Sequence, residues 1–180
     1  ALLGIIFIYI SGIDVLGEDS RALNWTALRE AAERLNPQWM IVAFVFVLVG
    51  FGTKAGLAPM HFWLPDAHSQ APSPVSAVLS GVLLNTALYG IFRVFVIANK
   101  TLEGKAEDLL TMFGLLSIAI TVPFILVQHD LKRMFAYSSV EHMGVIVLGV
   151  GIGGTVGLYG ALLHMFNHAM AKSLLFFTAG

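Results

Sequence analysis

Three long stretches of this chain contain no Asp, Glu, Lys or Arg: between Asp66 and Arg93, between Asp108 and Asp130, and between Glu141 and Lys172. Each can hold a membrane span, which needs about 20 largely apolar residues. In hydrocarbon every backbone N–H and C=O must find a partner inside the protein, so only helices and closed barrels can cross. The apolar runs are continuous and lack the alternation of a barrel strand, which predicts helices. Composition agrees: 57% of the residues are hydrophobic, 12% are charged and the mean hydropathy is +0.82. A soluble domain carries about a quarter charged residues. A net charge of −1 offers no basic patch and argues against a nucleic-acid partner. The absence of cysteine removes disulfides, thiolate iron–sulfur ligation and Cys-based zinc sites.

Six apolar segments are predicted, at roughly Ala1–Leu16, Trp39–Thr53, Pro74–Ile97, Leu109–Gln128, Met134–Ile152 and Val156–Gly180. The expected fold class is an all-α polytopic transmembrane bundle with about six spans. One of these is a broken helix, because Trp39–Thr53 is short and runs into Lys54-Ala55-Gly56-Leu57-Ala58-Pro59. Residues 17–38 carry seven charged side chains and read as a polar extramembrane connection. Within it Trp25–Leu35 predicts a short amphipathic helix on the surface, with Asn24 or Thr26 near its N-cap. Pro72 and Pro74 suit the first turn of a helix, where a missing N–H costs little. The first segment has no basic region before it, so it does not read as a signal peptide, and the last ends within an apolar run. Residues 1–180 are therefore expected to be a piece of a single, longer transmembrane domain.

A titratable side chain in hydrocarbon costs a few kcal/mol, about 2.5–3.5 on insertion scales, so its presence calls for a reason. His164, His168 and Lys172 are spaced i, i+4, i+8 and form a row on one helix face, with Asn167 and Ser173 nearby. A row of titratable groups inside an apolar helix is what a proton relay needs. Histidine suits it because both ring nitrogens exchange protons near neutral pH. Two plainer readings compete: satisfied core histidines, or a metal pair at i, i+4. The lysine's charge disfavours a cation. Lys54 ends the broken helix, and broken helices mark ion and substrate sites in transporters. A carboxylate moving toward or away from such a lysine changes whether it holds its proton. The plainer reading is a lysine snorkelling to the surface. Glu141 and His142 are adjacent and point about 100° apart on a helix, so they serve different neighbours. Either can join a relay, and Glu141 can equally pair with a structural cation. His61, Asp66 and His68 match no strong zinc spacing and read as a polar re-entrant loop. Asp130 and Lys132, with His129 and Arg133, read as a helix-end loop or a proton entrance.

The run from Lys54 to His68, KAGLAPMHFWLPDAH, continued by Ala71-Pro72-Ser73-Pro74-Val75-Ser76-Ala77, resembles the antiporter-like subunits of respiratory complex I. That family includes the large subunits of multi-subunit Na⁺/H⁺ antiporters and the membrane subunits of energy-converting hydrogenases. Asp130-Leu131-Lys132-Arg133 with Ala136-Tyr137-Ser138-Ser139, and the run from His164 to Phe176, match two further motifs in family order. The segments from Ser138 to Gly144 and from Leu83 to Ala87 look like hydrogenase-4 component F. The resemblance implies about fourteen helices in the whole subunit, with this piece near its central half-channel. It places Lys54 on the family's broken-helix lysine, and His142, His164, His168 and Lys172 on its central polar axis. Many members carry a second lysine where this chain has Asn85, and the family's acidic partner of Lys54 lies upstream of Ala1.

The expectation is thus a proton-conducting membrane subunit of a redox-driven complex. Lys54 is expected to be the switching carrier, with His164, His168 and Lys172 as relay and Glu141 and His142 assisting. Asp130, Lys132, His61, Asp66 and Asn85 are auxiliary. No cofactor or metal is expected in this chain, and its expected partners are other membrane subunits, the lipid bilayer and protons. A cytoplasmic membrane of a bacterium or archaeon is the expected location. Rival readings are a Na⁺/H⁺ antiporter subunit of the same fold, a haem-binding electron carrier, and a scaffold.

Overall fold

The structure, a computed structural model, describes residues 1–17 and 20–179. Glu18 and Asp19 of the expected polar connection, and Gly180 of the expected sixth segment, lie outside the described residues. Among those described, regular structure is helical throughout. Helix α1 spans Leu2–Leu16, α2 Trp25–Glu30, α3 Pro37–Ala55 and α4 Trp63–Gln70. A continuous rod follows: α5, Ser73–Val78, passes through a π-helical turn at Leu79–Leu83 into α6, Leu84–Leu102. Helices α7, Lys105–Val127, α8, Leu131–Ile152, and α9, Gly154–Thr178, complete the chain.

Among the described residues, four helices are long and apolar enough to cross a membrane: α3, the α5–α6 rod, α7 and α8. Helix α1 is apolar but only 15 residues long. Helix α9 has the length, at 25 residues. Its row of histidines, asparagine and lysine lowers its hydropathy.

The expectation that the second segment is too short to cross needs correction. Asn36 caps α3, its side chain accepting from the backbone N–H of Gln38 and Trp39, and Pro37 occupies the first turn. These residues start the helix two positions early, and it runs on to Ala55 for 19 residues, about 28 Å. The break does occur. Gly56 takes the left-handed conformation at φ +74° and closes the helix, with its N–H on the Gly52 and Thr53 carbonyls. The chain then turns through residues 57–62 before α4.

Residues 20–36 also differ from a surface-lying helix. Asn24 caps α2 as expected, but Leu28, Ala31, Ala32 and Leu35 are buried in the bundle core. The Thr101 hydroxyl donates to the Ala32 carbonyl at 2.7 Å, and the Asn36 N–H bonds the Ser11 carbonyl. The connection is packed against α1 and α6.

Small residues set the helix spacing, as expected where lipid supplies no hydrophobic drive between helices. A Cβ on Gly114 of α7 would lie 2.8 Å from the Leu148 N of α8, and one on Gly144 would lie 3.0 Å from the Gly114 carbonyl. Helices α8 and α9 form a hairpin through Gly153 and Gly154, at φ +74° and +70°, which L side chains rarely adopt.

Candidate functional site

The tight turn at Gly153 determines which residues of α8 face which residues of α9. In an antiparallel helical hairpin, positions equally far from the turn lie side by side. His142 and His164 are each eleven residues from Gly153. Their rings meet, with His142 Nδ1 3.0 Å from His164 Nε2. One nitrogen donates and the other accepts, according to tautomer. One turn further, the His168 ring lies 5.6 Å from that of His142. Another turn brings Lys172 against the first residues of α8.

Lys172 is 3% exposed. Its ammonium donates to the Phe135 carbonyl at 3.0 Å and to the Ser138 hydroxyl at 2.9 Å. An ammonium has three N–H donors; a neutral amine has two and a lone pair. Both protein acceptors therefore stay satisfied in either state, and the third proton is the one free to exchange. The Phe135 carbonyl also accepts from Ser139, whose hydroxyl meets that of Ser80 in the π-helical turn at 2.9 Å.

These groups line one cleft of about 390 Å³, walled by His142, His164, Asn167, His168, Lys172 and Ser138 on an otherwise apolar surface. His168 is 4% exposed, and both its ring nitrogens lack a protein partner. A buried imidazole normally finds one, so both His168 nitrogens are open to a partner outside these residues. Among the described residues, no group of three or more His, Asp or Glu is placed to hold a metal ion.

The structure thus brings His164, His168 and Lys172, the residues expected to form a relay, into one cleft together with His142. Glu141 is half-buried and within electrostatic range of Lys172, without an ion pair among the described residues.

Lys54 stands apart from the α8–α9 cluster. It is exposed, on the outer side of the last turn of α3, and shares no hydrogen bond, ion pair or cleft wall with the α8–α9 cluster. The physical reason is position: Gly52 and Ala55 take the inward face of that turn, which leaves Lys54 outward.

The auxiliary residues have local tasks. Asp130 caps α8, accepting from the Arg133 N–H at 2.9 Å. Asp66 forms an ion pair with Arg133 at 2.8 Å, clasping α4 to the start of α8. Lys132 reaches the Ala71 carbonyl at the end of α4, at 3.4 Å. His61 is buried beside Tyr137. Asn85 donates to the Gly81 carbonyl at 2.9 Å and to the Met165 carbonyl at 3.3 Å, tying α6 to α9 just past the π-helical turn.

His68, read from the sequence as part of a polar re-entrant loop, was given no place among the expected site residues. It is 0% exposed, stacks on Phe176 with ring centroids 4.4 Å apart, and has both ring nitrogens without a partner. It lies within electrostatic range of Lys172. Its signal in the sequence was weak, because a polar loop around Asp66 does not tell which of its side chains is buried. Only the packing of α4 against α8, with Phe176 of α9 stacked on the ring, buries it.

The chain is similar to subunits of several membrane complexes. The chain is 45% identical over its whole length to a hydrogenase-4 component F homolog of Methylacidiphilum infernorum, covering 38% of that protein. It is 37% identical over 96% of its length to NADH-quinone oxidoreductase subunit N of Desulforudis audaxviator, covering 35% of it. Its fold matches a chain of the Mrp complex from Dietzia sp. with a TM-score of 0.81 and 26% identity, over 97% of this chain and 31% of that one. The chain spans roughly a third of the length of these relatives. Residues 2–180 match the family described as NADH:quinone oxidoreductase/Mrp antiporter, TM, and this chain belongs to that transmembrane family.

Proposed function

We propose that this chain carries protons as part of a membrane subunit of a redox-driven complex, of the hydrogenase-4 or complex I kind, in a prokaryotic cytoplasmic membrane. The path runs along His164, His142, His168 and Lys172, with Glu141 modulating the lysine and His68 on its far side. The observation that carries this reading is Lys172. It is a buried amine whose two fixed acceptors remain bonded whether it holds two protons or three. The His142–His164 contact and the unpartnered His168 extend a chain of exchangeable protons from it. Moving one charge against 100 mV costs about 2.3 kcal/mol. The energy therefore comes from electron transfer in partner subunits or from an ion gradient, and this chain is assigned no cofactor of its own. Lys54 is assigned the switching role, with its outer face turned to another helix of the subunit.

The likeness to the Mrp complex supports a second reading, Na⁺/H⁺ exchange. The test uses the full-length subunit in its complex, reconstituted in proteoliposomes with a pH-sensitive dye. Proton movement is expected without Na⁺ and is expected to be lost in His142→Phe and His164→Phe. A strict Na⁺ requirement would move the assignment to the antiporter. Unchanged transport in both histidine variants and in Lys54→Met would leave a scaffold.

A further inference from the structure

Far from the histidine cluster, two cations share one indole. The Arg93 guanidinium lies 3.7 Å from the Trp25 ring centroid and the Arg29 guanidinium 5.1 Å from it. The Trp25 N–H donates to the Arg93 carbonyl at 2.8 Å, which locks the ring onto α6. Among the described residues neither arginine has a carboxylate partner, and the ion pair there is Arg133–Asp66. Cation–π contact offsets part of a guanidinium's charge but supplies no anion. Two residues before Trp25, exposed Leu23 forms a groove of about 250 Å³ with Ile5, Ile6 and Tyr9, and no polar surface lines it.

Depth fits an interface. The α5–α6 rod has 30 residues, about 45 Å, which exceeds a hydrocarbon core of about 30 Å by some 15 Å. Centred, the rod stands about 7 Å beyond the core at its Leu102 end. Arg93, nine positions earlier, then sits about 6 Å inside, where a snorkelling guanidinium reaches the headgroup layer.

We propose that Trp25, Arg29 and Arg93, with the adjoining groove of Ile5, Ile6, Tyr9 and Leu23, bind one anionic phospholipid. Its phosphate sits on the two guanidiniums and an acyl chain lies in the groove. A fork of guanidinium donors matches phosphate oxygens. The groove, having no polar lining, suits a hydrocarbon chain and would gain nothing from a free anion.

The experiment uses the full-length subunit in phosphatidylcholine nanodiscs, with the fluorescence of Trp25 obtained as the difference from Trp25→Phe. Brominated phosphatidylglycerol or brominated phosphatidylcholine is added in small mole fractions. Saturable quenching is expected at a several-fold lower fraction of the glycerol lipid. Arg29→Gln, at an exposed position that leaves the packing of Arg93 intact, is expected to bring the two lipids to parity with the helical content unchanged. Equal quenching by both lipids in the wild type overturns the proposal, as does a preference that survives Arg29→Gln. Displacement by millimolar inorganic phosphate would show an anion site without a lipid and overturns it too.

Discussion

Lys172→Met separates transport from folding most sharply. Methionine removes the amine but keeps an unbranched side chain only one heavy atom shorter. The structural cost is the loss of two charge-assisted hydrogen bonds, to Phe135 and Ser138, at about 1.5–3 kcal/mol each. Against that stands relief of the cost of a lysine in the membrane, about 3 kcal/mol. The Phe135 carbonyl keeps the Ser139 hydroxyl. The net destabilisation therefore falls between about zero and 3 kcal/mol, small enough for the subunit to assemble. Transport behaves differently. A proton crossing this point without a carrier meets a barrier higher by about 3 kcal/mol, the scale of a charge in hydrocarbon, or roughly a hundredfold in rate. Lys172→Arg sharpens the comparison, because a guanidinium keeps the charge and hydrogen bonds but does not release its proton. Assembly followed by detergent-stable purification, and proton uptake by dye quenching in proteoliposomes, read the two quantities apart. Both variants are expected to assemble and to transport at about 1% of the wild-type rate. Wild-type transport in assembled Lys172→Arg would refute the reasoning, since a permanently charged group would then suffice.

Other substitutions test the frame around the site. Gly153→Ala puts a Cβ on a backbone at φ +74° and ψ −162°, a region adopted almost only by glycine, at a cost of about 1–3 kcal/mol. It is expected to lower the thermal unfolding midpoint and, by disturbing the hairpin, to weaken transport. Gly144→Leu drives a side chain into α7, where even a Cβ lies 2.9 Å from Ser117 Cβ. A loss of about 1–3 kcal/mol or more should appear as poor recovery of folded protein. Asp66→Asn breaks an exposed ion pair worth less than about 1 kcal/mol; stability and transport should change little, and less still at high salt. Asp130→Ala removes the cap of α8 and is expected to cost about 0.5–2 kcal/mol, seen in the denaturation midpoint.

Backbone class and approximate span positions followed from local chemistry. Charge-free apolar runs require helices in lipid, glycine at 56 stops one, and a 4-residue spacing aligns His164, His168 and Lys172 whatever surrounds them. Residues 20–36 were less legible, because charges at Arg29, Glu30, Glu33 and Arg34 mask the buried set Leu28, Ala31, Ala32 and Leu35. Periodicity reports which residues share a face of one helix; it does not report what that face meets. Only the two-glycine turn and the close packing of α8 on α9 bring His142 to His164 and Phe135 to Lys172. Only the docking of α4 beneath Phe176 buries His68, and only the choice of Gly52 and Ala55 as the inward face leaves Lys54 outside. Contacts across helices are long-range in the chain, so a local pattern can name the candidates while tertiary packing decides which of them can exchange a proton.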